Sequence, residues 1–167
     1  MQLTTRGRYA VMAMVDMAAR QIAGCECGPI CLAEIAERQQ LSLSYLEQLF
    51  GKLRRAGLVT SARGPGGGYR LVAPPEAIPI AAIVAAVDEP IHATRCETGR
   101  GCVNGGSHDA REKCQTHDLW FELGRQIELF LGGISLADVV SQRVRGRAVA
   151  LPGPAAGQTA AERLAAE

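Results

Sequence analysis

Four residues in this chain of 167 have types and spacing that suit metal chemistry: Cys96, Cys102, Cys114 and His117. Three thiols and an imidazole in one stretch rich in glycine (Gly99, Gly101, Gly105, Gly106) form a ligand set, and the glycines permit the tight bends that ligation demands. Thiolates are soft donors that suit an iron–sulfur cluster or zinc, and Cys₃His is also an ordinary structural zinc set. His117 follows Cys114 by three residues at the start of a helical pattern, so both can reach one centre. The alternative for each cysteine is a buried apolar side chain, and for His117 a surface or cap residue. Three further thiols, Cys25, Cys27 and Cys31, lie near the N-terminus with no evident role.

The elements that must position this segment are read from periodicity and breakers. Residues 4–20 are predicted helical, with Ala10, Ala13, Met14, Met17 and Ala18 at helical spacing. A short amphipathic helix follows at 31–39, then a tight break at Gln40-Leu41. Ser42 opens a second helix, with Leu43, Leu46, Phe50 and Leu53 on one face, and Gly57 ends it. Two β-prone runs, 58–62 and 69–72, flank the glycine-rich Arg63–Gly68 turn and read as a hairpin. Ile78–Val87 is predicted helical with Pro79 in its first turn, and 88–116 irregular. A long helix is expected from Thr116 to about Leu131, stopped by Gly132-Gly133, and Ser135 caps a short helix through Val140. The tail 146–167, rich in Ala, Pro and Gly, reads as disordered. The fold class is mainly α with a small β-hairpin wing: a winged helix-turn-helix at 1–75 (helix-turn-helix about 32–55, wing about 58–72), then 76–145 holding the ligand loop and dimerisation helices.

In a helix-turn-helix the second helix enters the major groove and its first residues meet base edges. Those residues here are Ser44, Tyr45, Glu47 and Gln48. Gln can pair with adenine and Glu can accept from the cytosine amino group. Ser44-Tyr-Leu-Glu47 also fits a capping box, in which Glu47 would only satisfy a backbone N–H. At the wing tip, Arg63 suits a narrow minor groove, and glycines such as Gly66 allow close backbone approach. Charge points mildly to an anionic polymer, here double-stranded DNA, the alternative being chance asymmetry in solvated faces. The net charge is +1, but residues 1–70 hold nine Lys/Arg against five acids, a net of +4, and the remainder is −3. The stripe Trp120, Leu123, Ile127 and Phe130 has coiled-coil-like spacing, which suits either a homodimer or packing within one subunit.

Long motifs sharpen this reading. Leu3-Thr-Thr-Arg-Gly-Arg-Tyr-Ala-Val11, Leu41-Ser-Leu-Ser-Tyr-Leu-Glu-Gln-Leu-Phe50, Leu53-Arg-Arg-Ala-Gly-Leu-Val59 and Arg63-Gly-Pro-Gly-Gly-Gly-Tyr69 resemble the IscR regulators, iron–sulfur-cluster-responsive transcription regulators of bacteria, from residue 1 to about 142. The resemblance implies a homodimeric repressor and activator that carries a [2Fe–2S] cluster on Cys96, Cys102, Cys114 and His117. Such a protein represses cluster-assembly genes when loaded, acts at other promoters, and receives its cluster from the assembly machinery. It also implies that Ser44, Glu47 and Gln48 face the major groove and Arg63 the minor groove, with Glu47 helping to separate two classes of DNA site. One departure stands out: eleven residues (Val103–Lys113) separate Cys102 from Cys114, about twice the family's usual loop, and they include His108. The bulge is expected to loop out, leaving His117 as ligand.

Other readings are a nitric-oxide- or iron-sensing regulator of the same family, a zinc-stabilised DNA-binding module, and a thiol redox enzyme. The last lacks a thioredoxin-like βαβ pattern, and no hydrolytic constellation is present, so the chain is read as a non-enzyme. The N-terminus is a poor signal peptide and no stretch has the length of a membrane span, so a cytoplasmic protein without a membrane partner is expected.

Overall fold

The computed structural model describes residues 5–23, 28–64, 66–87 and 116–146. The first helix, α1 (Thr5–Ile22), buries Gly7, Ala10, Ala13, Met14, Met17 and Ala18. Small residues on that face let other helices approach closely, and α1 packs against four of them: α2 (Leu32–Gln39), α3 (Leu43–Arg55), α4 (Ile80–Ala86) and α6 (Leu136–Val140). Between α2 and α3 the chain turns in three residues because Gln40 adopts a left-handed conformation (φ 52°, ψ 44°) and Leu41 N–H closes onto Ala36 C=O at 2.9 Å. Gly57 (φ 75°) ends α3, with Leu58 N–H returning to Leu53 C=O at 3.0 Å. The hydrophobic core is continuous from Met14, Met17 and Ile35 through Leu46, Phe50 and Leu53 to Ile83 and Leu136.

Strands β1 (Val59–Ala62) and β2 (Gly68–Leu71) form the antiparallel wing, in register from Val59↔Leu71 to Ala62↔Gly68. The wing is joined to the body in two ways that periodicity did not reveal. Ile30, just ahead of α2, exchanges both backbone hydrogen bonds with Tyr69 at 2.8 Å. The Tyr69 ring meets the buried Phe50 ring at 4.9 Å, edge to face. Gly68 is required there, since a Cβ would overlap the Ile30 carbonyl.

The fourth helix is shorter than expected. Pro79 sits outside it in extended backbone (ψ 147°), and Pro75–Ala77 makes a single 3-10 turn instead. The reason is a backbone bridge: Ile80 N–H donates to Ile134 C=O at 2.8 Å and Leu136 N–H to Ile78 C=O at 3.0 Å, which holds Ile78 and Pro79 extended. The fifth helix, α5 (His117–Gly132), packs on α4, and α6 begins with the expected Ser135 cap, completed as a capping box by Asp138. No helix among the described residues is long and apolar enough to cross a membrane.

An ion cluster locks α2 to α1. The Asp16 side chain is only 8% exposed. It accepts from Arg38 Nε at 3.0 Å, Arg38 Nη2 at 2.7 Å and Gln39 Nε2 at 3.0 Å, while Arg20 Nη1 bonds Glu34 at 2.7 Å. Burial alone raises the Asp16 carboxyl. The hydrogen bonds from Arg38 and Gln39 and the charges of Arg38 and Arg20 outweigh it and hold the group below the usual carboxylate range. Its folded pKa is depressed, so its contribution is full above the unfolded value of about 4 and is lost as pH falls through the folded value. Asp16→Asn is expected to lower the unfolding free energy by about 1–3 kcal/mol near neutral pH. Urea melts should show that difference shrinking at about pH 3; a difference unchanged by acid would mean that packing, not charge, is lost.

Candidate nucleic-acid interface

The candidate reading face is built on the first turns of α3. Ser42 precedes the helix in extended backbone (φ −65°, ψ 127°) and makes no side-chain cap bond. The helix therefore starts two residues before a Ser44–Glu47 capping box would allow, and that box is not formed. Ser44, Glu47 and Gln48 are all exposed, and among the described residues the Glu47 side chain has no hydrogen bond or ion pair. They stand opposite the buried Leu46, Leu49, Phe50 and Leu53, as the 3.6-residue period requires. Tyr45 differs from its neighbours: it is half-buried, with its ring edge-on to Tyr9 of α1 at 6.0 Å and 88°.

The wing tip is shaped by positive-φ glycines, Gly64 (108°) and Gly66 (75°). A Cβ on Gly67 would come within 2.5 Å of the Ala62 carbonyl, so the turn closes only with glycine there. Arg63 is exposed beside it. The wing is tied to the reading helix by Arg54 Nη1, which donates to Ser61 Oγ at 3.4 Å. Tyr9, Ile30 and Arg54 thus position the face without being recognisable from local sequence, because each acts through a residue distant in the chain.

Cys96, Cys102 and Cys114, with His108, lie outside the described residues; His117 is the first residue of α5. Of the N-terminal thiols, Cys31 is described: it is free and exposed, ahead of α2. On α5, Trp120, Leu123 and Phe130 are exposed and Ile127 is half-buried. Leu119 (62% exposed), Phe121 and Leu129 (59%) widen the apolar surface beyond the four-residue stripe. Leu119, four residues before Leu123, extends the same stripe by one turn, whereas Phe121 and Leu129 fall on other faces, which a 3–4 spacing does not select.

A helix-turn-helix with an exposed reading helix and a hairpin wing defines a winged-helix DNA-binding transcription regulator. The chain belongs to the Rrf2 family, described as iron-dependent transcriptional regulator, whose model matches residues 3–142. It is 51% identical over 140 residues to the HTH-type transcriptional regulator IscR of Aliivibrio salmonicida, covering 84% of this chain and 77% of that protein. It is similar in structure to T. potens IscR (TM-score 0.65, 33% identity, 90% of this chain and 93% of that one). It is equally similar to CymR, the global cysteine regulator of B. subtilis (TM-score 0.65, 32% identity, 85% and 98%). The resemblance read from the motifs therefore holds across most of the chain.

Glu47→Ala is expected to change which duplexes are preferred, by about 1–3 kcal/mol at the affected base pair. Selection from randomised duplexes with both proteins should show the changed base, with affinity for unrelated DNA kept.

Proposed function

We propose that this chain is an IscR-type, iron–sulfur-cluster-sensing regulator that acts as a homodimer on palindromic operators and catalyses no reaction. The observation that carries the reading is one chain of a family described as iron-dependent that joins an exposed reading helix and wing to a Cys₃His segment. Residues 1–75 read DNA: Ser44, Glu47 and Gln48 address bases, Tyr45 supports them, and Arg63 with Gly66 enters the minor groove. Residues 76–145 sense and pair; residues 147–167, read from sequence as a tail, lie outside the described residues. Cys96, Cys102, Cys114 and His117 would hold a [2Fe–2S] cluster delivered by the assembly machinery, since three soft thiolates and an imidazole are the donors such a centre takes. When bound, the cluster supplies a redox-active centre whose presence reports on iron–sulfur supply.

The chain's own connectivity supports coupling. The ligand segment joins the end of α4 to the start of α5, and α4 packs on both α1 and α3. Fastening that segment constrains α4 from its C-terminal side and α5 from its N-terminal side. Regulation then requires different DNA affinities of the loaded and unloaded protein, because a ligand bound equally by two states shifts nothing. The loaded form represses cluster-assembly genes, and the protein acts at further promoters in either state.

Anaerobically purified protein is expected to be coloured, with visible absorption bands and iron and sulfide in equal amounts. His117→Ala should change the spectrum and His108→Ala should not. A colourless protein that retains zinc would replace the cluster with a structural metal. Equal operator affinity with and without cluster would remove the sensing role.

Exposed apolar side chains on α5 support pairing through that helix, which suits two half-sites. Leu123→Glu with Phe130→Glu is expected to give a folded monomer by sedimentation velocity and to weaken operator binding at least ten-fold. A dimer that survives both changes would place the interface elsewhere.

A further inference from the structure

The exposed arc of α3 has two edges, and each is held by a different neighbour. The helical period puts Arg54 on one edge and Tyr45 on the other. Arg54 joins the wing through Ser61 at 3.4 Å. Tyr45 joins α1 through the Tyr9 ring at 6.0 Å. The reading residues Ser44, Glu47 and Gln48 therefore lie between the wing and the first turns of α1. A helix seated in a major groove about 12 Å wide has a sugar–phosphate strand on each side. The wing meets one side, and α1 stands on the other.

The charge on α1 is divided in the same sense. Its C-terminal half carries Asp16 and Arg20, which are engaged with Arg38 and Glu34 in the ion cluster. Its N-terminal half carries Arg6 and Arg8 and no acidic residue before Asp16. Thr5, Arg6 and Arg8 are all exposed. One turn before Tyr9, Thr5 and Arg6 stand about 40° and 60° to either side of its direction, and Arg8 lies on the solvent side of the same turns.

We infer that the first two turns of α1 form a second phosphate-binding flank for duplex DNA. Arg6 and Arg8 neutralise backbone phosphates, and the Tyr9–Tyr45 contact keeps those turns beside the reading helix. This flank rests on the DNA-binding reading above and adds contacts that carry no base sequence.

The test is fluorescence anisotropy across a salt series with two labelled duplexes, a selected operator and a scrambled sequence of the same length. The protein is compared with Arg6→Gln/Arg8→Gln and with Arg6→Lys/Arg8→Lys. The glutamine pair should reduce the slope of log affinity against log salt by about one per arginine per protomer. It should weaken binding roughly ten-fold or more near 0.1 M salt, by the same factor on both duplexes. The lysine pair should restore the slope, since it restores charge. An unchanged slope, or a loss confined to the operator, would overturn the flank while leaving DNA binding intact. Absence of any salt-dependent duplex binding by the parent protein would overturn the DNA-binding reading and the flank with it.

Discussion

The close packing of α1 is the constraint on which everything else rests. Ala10, Ala13 and Ala18 are fully buried, and with Met14 and Met17 they make a face low enough for four helices to reach. The helix-turn-helix lies against this helix through α2 and α3, and the second half of the chain lies against it through α4, which precedes the cysteine-bearing stretch, and through α6, which follows α5. A larger side chain at Ala13 would have to push one of these groups away, since the interior is close-packed. One helix thus sets α4 and α6 against the helix-turn-helix.

Around that helix, the reading surface is held by a few long-range contacts rather than by its own local structure. Asp16 and Arg38 fix how α2 sits on α1, and Arg54 and Ser61 tie the wing to α3. The Ile30–Tyr69 backbone exchange and the Phe50–Tyr69 ring contact secure the wing's second strand. The hairpin is only two strands, too few to be stable alone in water, so these attachments let it present Arg63 at a defined place. Glycines at 64, 66, 67 and 68 then do two jobs: two supply backbone turns and two remove the Cβ where another backbone passes.

Much of this was legible in order and type. The spacing of Ala10–Ala18, the Leu46–Leu53 face, the Ser135 cap and the hairpin around Arg63 each reflect a local rule, and each element lies within a few residues of its expected place. The departures have physical causes. The Ser44–Glu47 box fails because Ser42, not Ser44, precedes the first helical residue, which leaves Glu47 open to solvent. The fourth helix loses Ile78 and Pro79 to a backbone bridge with the strand-like residues before α6. Such a bridge leaves no local signature, because its partners are more than fifty residues apart.

By itself the sequence determined the winged helix-turn-helix order, the basic character of its first half and the grouping of three cysteines and a histidine in one segment. Residue type and short-range spacing suffice for these. Tertiary structure alone decided which side chains share a face. It brought Tyr9 to Tyr45, consumed Arg20 and Arg38 in an internal ion cluster, and left Arg6, Arg8 and Arg63 on the exposed surface. Pairing of this kind depends on where packed helices meet. A one-dimensional charge count gives the total of +4 for residues 1–70 but not which of those charges meet in the α1–α2 ion cluster and which stand at the surface.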